Sequence, residues 1–290
     1  MKKIILFLAA VLILFSYGCG LLPQEKPSLI PEKVEYHKGT KGIVVKVIEN
    51  MPADEVWAGN DFMVGLELKN EGAYDVKEGM VGVSGFNPEF VFPSEDTVDF
   101  ELAGKSPGNP TGDYKIEQFR FSNINYPEGK ESIKETFKVS VGYEYETEAT
   151  AVVCIDPDIL GLTKSVCRVG EVSLSGGQGA PIEVTRVEES ISSLNGELEV
   201  NFVIFFRNAG KGEVFEDTVI ILDAFLGGRQ AGEELDCGEP EIMLRKGIRE
   251  HKIKCSAKIK KTQGAYTTPL VVRLGYVYIE HDHYILKIVS

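Results

Sequence analysis

Residues 62–72 read FMVGLELKNEG, and residues 200–210 read VNFVIFFRNAG. Each is an alternating apolar run that stops at Asn-x-Gly, Asn70-Glu71-Gly72 in the first and Asn208-Ala209-Gly210 in the second. Setting Asn70 on Asn208 places Phe62, Val64, Leu66 and Leu68 on Val200, Phe202, Ile204 and Phe206. A strand turns successive side chains to opposite faces, so the match assigns the same buried face in both copies. The chain therefore reads as one β domain written twice.

The surrounding segments repeat in the same order. Ile43–Ile48 is answered by Ile182–Val187, and Met80–Val83 by Val219–Leu222. Lys115-Ile116-Glu117 is answered by Lys252-Ile253-Lys254. The alternating set Phe137, Val139, Val141, Tyr143 and Tyr145 is answered by Leu270, Val272, Leu274, Tyr276 and Tyr278. Ala149–Ile155 closes the first copy and Tyr284–Val289 the second, while Asn195-Gly196 signals a two-residue hairpin. Short strands, Gly/Pro/Asn turns and no long helical period beyond the N-terminus predict antiparallel sandwiches.

At 290 residues the length suits about two domains. The formal charge of −13 and the lack of a basic stripe argue against a nucleic-acid partner. Lys2-Lys3 followed by the apolar run Ile4–Phe15 forms a targeting segment, and Ser16-Tyr17-Gly18 leads into Cys19. A small residue before cysteine resembles a lipoprotein cleavage box, which makes Cys19 the lipid anchor; Ser16 and Tyr17 depart from that pattern. An uncleaved helix over Ile4–Leu22 and free secretion are the other readings. All three place the body outside the cytoplasm. Residues 20–42, rich in proline and charge, read as an extended tether. Of five cysteines, four remain once Cys19 is set aside, an even number that suits an oxidising compartment. Three connectivities are open. Cys154–Cys167 with Cys237–Cys255 keeps each bridge within one domain or at its border. Residues 156–180 read as a linker, with Gly176, Gly177 and Gly179 as a hinge.

An apolar strand ending in Asn-x-Gly, a second strand, then the turn Leu244-Arg245-Lys246-Gly247 before an alternating strand resembles the CARDB-type immunoglobulin-like domains. These recur in cell-surface and S-layer-associated proteins of bacteria and archaea. The resemblance spans residues 43–155 and 181–290, and the first copy departs from it by stretching the turn through Ala103–Gly112. It implies an all-β chain of two tandem immunoglobulin-like sandwiches behind an N-terminal signal or anchor helix (1–19). It also implies surface display, adhesion or spacing, and brings no catalytic residues.

Enzyme signatures are sparse. Gly82-Val83-Ser84-Gly85 lacks the second glycine of a nucleophile elbow, having Phe86 in its place, and Gly176–Gly179 lacks the Lys-Ser/Thr of a phosphate loop. His281 and His283 share a face if extended and could chelate a metal, or they form a polar hairpin tip between Tyr278 and Tyr284. No cofactor is predicted. Phe205, Val271 and Val277 fall on the outward parity of the second copy, where the first carries Glu67, Lys138 and Glu144. That greasier outer face marks Phe205, Val271 and Val277 as the candidate protein contact. The expectation is a membrane-tethered extracellular binding or structural module facing another cell-surface protein, with no activity of its own. The rival is an accessory protein that binds sugar or metal through loops or the His281–His283 hairpin.

Overall fold

The computed structural model describes residues 36–290 except 94–95, 123, 127–128, 195 and 228–231. The leader, Cys19 and most of the tether lie outside the described residues. The first half holds β1 (Ile43–Val47), β2 (Glu55–Trp57), β3 (Phe62–Asn70), β4 (Val76–Ser84), β5 (Phe92–Pro93), β6 (Thr97–Leu102), β7 (Tyr114–Ser122) and β8 (Ser132–Ile155). After β9 (Glu171–Ser173) come β10 (Ile182–Leu194), β11 (Glu197–Asn208), β12 (Glu213–Val214) and β13 (Thr218–Leu226). The chain ends with β14 (Glu233–Glu234), β15 (Glu241–Met243), β16 (His251–Lys260) and β17 (Tyr266–Val289). A single 3-10 turn, Phe215–Asp217, is the only helical element among the described residues.

The expected burial parity holds in both copies. Phe62, Val64, Leu66 and Leu68 of β3 are buried, as are Val200, Phe202, Ile204 and Phe206 of β11. Registers repeat too: Ile43 pairs with Asn70 and Ile182 with Asn208. Two equivalences slip by a residue: Met80, opposite Gly142, answers Ile220, opposite Gly275, and not Val219, and the match of Ile116 to Ile253 also moves. Leu66 pairs with Glu117, whereas its counterpart Ile204 pairs with Ile253, so Ile253 is buried while Ile116 stands half exposed. Several short strands have no counterpart in the repeat as read from the sequence, among them β2, β6 and β9, the last within the expected linker 156–180.

The two copies are not separate bodies. Each supplies one four-stranded sheet, in the orders β1-β3-β7-β5 and β16-β11-β10-β9. Both then pour the rest into a single nine-stranded sheet, in which β14-β13-β17-β8-β4-β6 run in order while β12 and β2 pair with β17 and β15 with β13, and the described residues form one compact unit. The cause is length. β8 and β17 run 24 residues each and pair antiparallel from end to end, continuing as strand through Gly142, Pro269 and Gly275. The first part of β8 pairs with β4; its last part reaches the second half, where Thr147 Oγ1 donates to the Ile182 carbonyl and Glu189 accepts from the Cys154 amide. The far end of β17 reaches the first half in turn, pairing in parallel with β2 and stacking Tyr284 on Phe137. Each half thus completes its neighbour.

The glycines of the linker are not a hinge. Gly39 donates to the Gly176 carbonyl, Gly179 donates to that of Gly39, and Ala73 donates to that of Gly179. A Cβ at Gly177 would lie 2.2 Å from the Gly39 carbonyl oxygen and one at Gly179 2.6 Å from Ala73 Cβ, so these two glycines let the three backbone segments meet. Both expected disulfides, Cys154–Cys167 and Cys237–Cys255, are formed, a state that suits an oxidising, extracellular setting.

Candidate functional site

The pairing of β8 with β17 is reciprocal. Tyr143 lies opposite Tyr278 and Tyr145 opposite Tyr276, with Glu144 opposite Val277 between them. Since Tyr143 corresponds to Tyr276 and Tyr145 to Tyr278, a pseudo-twofold axis runs through the Glu144–Val277 pair. Such self-complementary pairing is what a symmetric dimer interface looks like, here closed within one chain.

On the inner side of the axis the four tyrosine rings pack together, with Tyr143–Tyr145 centroids 5.4 Å apart and Tyr143–Tyr278 centroids 6.0 Å apart. Every hydroxyl is used. Ile43 donates its amide to Tyr143 Oη at 3.1 Å, and Ile182 donates to Tyr276 Oη at 3.3 Å. Tyr145 donates to Asn70 Oδ1 at 3.1 Å, and Tyr278 to Asn208 Oδ1 at 2.9 Å. The same Asn oxygens accept the amides of Gly72 and Gly210. This explains the Asn-x-Gly signature, which is a seat for a tyrosine. A methyl group on Gly72 would sit 1.9 Å from Tyr145 Oη, and one on Gly210 would sit 2.3 Å from Tyr278 Oη. Burial pushes all four phenols well above their ordinary range, so they stay neutral.

The outer side of the axis is where the shared sheet meets solvent. One row across it reads Asp99, Met80, Gly142, Ile279; the symmetry-related row reads Glu241, Ile220, Gly275, Glu146. The two glycines floor two adjoining depressions that share Glu144, Val277 and Phe215 as walls. The first, over Gly142, has a volume of about 1000 Å³; the second, over Gly275, about 480 Å³. Met80 and Phe215 are half exposed there, at 51% and 50%. Carboxylates surround them: Glu78, Asp99, Glu101 and Glu144 line the first, against Lys77 and Lys115. Beside the second, Arg273 is held by Glu146 and Asp223, the latter at 2.8 Å.

Of the three expected contact residues, only Val277 is here, at the centre. Val271 is buried, between Thr150 and Phe225 of the flanking strands, so outward parity alone did not leave it accessible. Phe205 is on β11, in a different sheet, and lies under the Arg186 guanidinium, 3.5 Å above its ring. The three do not form one patch. Met80, Gly142, Ile279 and Phe215 were missed, although Met80 at outward parity and a glycine inside an alternating strand were signals in the sequence.

His281 and His283 are not a hairpin tip; β17 runs straight through them. His281 Nδ1 lies 3.0 Å from Ser140 Oγ. Among the described residues no group of three or more His, Cys, Asp or Glu converges to hold a metal ion.

No family model matches the chain, and no curated protein matches it. Among solved structures, the YadV chaperone aligns over 78% of this chain and 91% of its own, at 9% identity and a TM-score of 0.20. Red sea bream transglutaminase aligns over 87% of this chain and 31% of its own, at 11% identity and a TM-score of 0.22. A chaperone–tip adhesin complex of CFA/I fimbriae aligns over 78% and 88%, at 8% identity and a TM-score of 0.19. TM-scores of this size establish no common fold, and no property of those proteins is carried over.

Proposed function

We propose that this chain is a membrane-tethered extracellular module of two immunoglobulin-like sandwiches, which binds or spaces other cell-surface proteins and has no catalytic activity of its own. Cys19 or the apolar segment around it holds the module to the membrane, and the expected tether, residues 20–42, spaces it from there. The observation that carries the reading is the outer face of the shared sheet. Half-exposed apolar side chains converge there on Val277, over a floor that two glycines leave low, within a rim of carboxylates. Exposed apolar surface ringed by polar groups is how protein contacts are built. The resemblance of the repeat to CARDB-type domains points the same way.

Two measurements on intact cells test this. Protease added outside should digest the chain, and mass spectrometry should find an acylated Cys19 at the mature N-terminus. A photo-crosslinker at Val277 should give a discrete adduct, while one at Val152, exposed toward the other end of β8, should not. A protein sheltered in the cytoplasm, or equal labelling from both positions, contradicts the proposal.

A further inference from the structure

The two depressions are related by symmetry, yet the second is partly covered from within. Between Ile221 and Asp223 the register of β13 shifts, and the residue carried out by that bulge is Leu222. Its side chain lies over Gly275, with Cδ2, Cγ and Cδ1 at 3.0, 3.1 and 3.2 Å from the place of a Cβ. A side chain at Gly275 would therefore press on Leu222.

Gly142 has no such reason to be glycine. Its φ is not in the left-handed region, and the nearest side-chain atom to an added Cβ is Ile279 Cγ1, at 3.8 Å. Glycine inside a strand is less favourable than alanine, and often marks a place where something else approaches the backbone. Here the space above it is open, between Met80, Ile279 and Val277.

We propose that the depression over Gly142 receives an aliphatic side chain from a basic segment of another protein, seated as Leu222 is seated over Gly275. The second half supplies the template for the anchor. The rim supplies the charge: Glu78, Asp99, Glu101 and Glu144 line the cavity with only Lys77 and Lys115 to offset them. The net charge of −13 draws a cationic segment toward the whole molecule. This deepens the binding-module reading and rests on it, by naming the chemistry of the partner and where it is gripped.

The test titrates the full chain with short labelled peptides, read by fluorescence anisotropy at low and physiological salt. One peptide alternates lysine with leucine, a second lysine with serine, and a third glutamate with leucine. The lysine–leucine peptide should bind roughly tenfold or more tighter than the lysine–serine peptide, the worth of one buried aliphatic side chain. The glutamate–leucine peptide should not bind. Gly142→Leu should remove that tenfold advantage, and Gly142→Ala, whose methyl has room, should weaken binding less while melting cooperatively at or slightly above the temperature of the parent. Asp99→Asn with Glu144→Gln should flatten the salt dependence. The proposal is overturned if Gly142→Leu and Gly142→Ala leave the affinity unchanged, or if lysine–serine binds as well as lysine–leucine. It is also overturned if sedimentation shows the parent self-associating through this face, which would make the occupant a second copy. A crosslinked adduct at Val277 in cells combined with an indifferent peptide series would sink this inference and leave the module reading standing. Peptide binding to a chain found in the cytoplasm would do the reverse.

Discussion

Asn70 and Asn208 occupy the same place in the repeat and accept from equivalent tyrosines, but Asn70 is fully buried and Asn208 is exposed. The difference is the loop that follows. In the first half the long turn Ala103–Gly112 folds back over Asn70: the Asp113 carbonyl accepts the Asn70 amide, and Asn70 Nδ2 donates to both Tyr74 and Leu102. In the second half Asn208 Nδ2 donates to Gly212. On the outer face the halves differ the other way, with Gly275 covered by its own Leu222 and Gly142 left open. Positions that hold the fused dimer together match closely. Positions that face solvent have diverged, because nothing in the common core constrains them.

The strongest way to break this picture is to separate the halves. If each completes its neighbour, residues 36–155 and 156–290 made alone should lack a cooperative thermal transition. Co-expressed, they should co-purify as a one-to-one complex that melts as one. A cooperative transition in either isolated half would show that the crossing strands are dispensable. Next in size is the asparagine pair. Asn70→Ala leaves several buried groups without partners and should cost on the order of 3 kcal/mol in urea unfolding, while Asn208→Ala should cost about 1 kcal/mol. Equal losses would mean that the covering loop adds nothing.

Much of this organisation was legible in the chain. Parity in β3, β11 and the tyrosine strands followed from alternation alone, and both disulfides from keeping bridges local. What alternation could not show was where strands stop. Alternation alone breaks β8 between Tyr145 and Ala149 and β17 at His281–His283, though neither place holds Gly, Pro or Asn. Polar residues there read as turns, but Glu146, Glu148 and His281–His283 are outward members of strands that continue into the other half, and Thr147 is a buried one, bonded to Ile182 and Tyr276. The same habit made hinge residues of Gly177 and Gly179, because close backbone packing and flexibility call for the same amino acid. The Gly142 depression depends on which strands are neighbours, and that pairing is long-range information.

β1 and β10 offer a third contrast. β1 stops after five residues, whereas β10 runs thirteen, and its extension carries Glu189 into the second core beside the Cys154 end of β8. Glu189 is 93% buried, being 7% exposed; its Oε2 accepts the Cys154 amide at 3.1 Å and its Oε1 is unpartnered. Burial pushes this carboxyl from 4.5 up to about 7. Folded Glu189 therefore holds its proton in a range where the unfolded chain has lost it. Stability should fall as pH rises from about 4.5 to about 7 and then level off. Glu189→Gln should remove that slope, matching the parent near pH 4 and exceeding it by on the order of 2 kcal/mol above neutrality. Melting temperature against pH reads this directly, and parallel profiles would mean that water reaches the carboxyl.

The smallest effect separates the two glycines themselves. Gly142→Ala adds a methyl with its nearest neighbour at 3.8 Å and removes backbone freedom from the unfolded chain. It should stabilise the protein by about 0.5–1 kcal/mol. Gly275→Ala gains the same entropy, but its methyl meets Leu222 at 3.0 Å, so the leucine must shift and part of the gain is lost. The two variants should therefore differ by roughly half a kcal/mol or more, with Gly142→Ala the more stable. A Leu222→Ala background should erase the difference, because it empties the second depression to match the first. If the gap persisted there, Leu222 would not be the occupant of the Gly275 site, and the template for what sits over Gly142 would be lost with it.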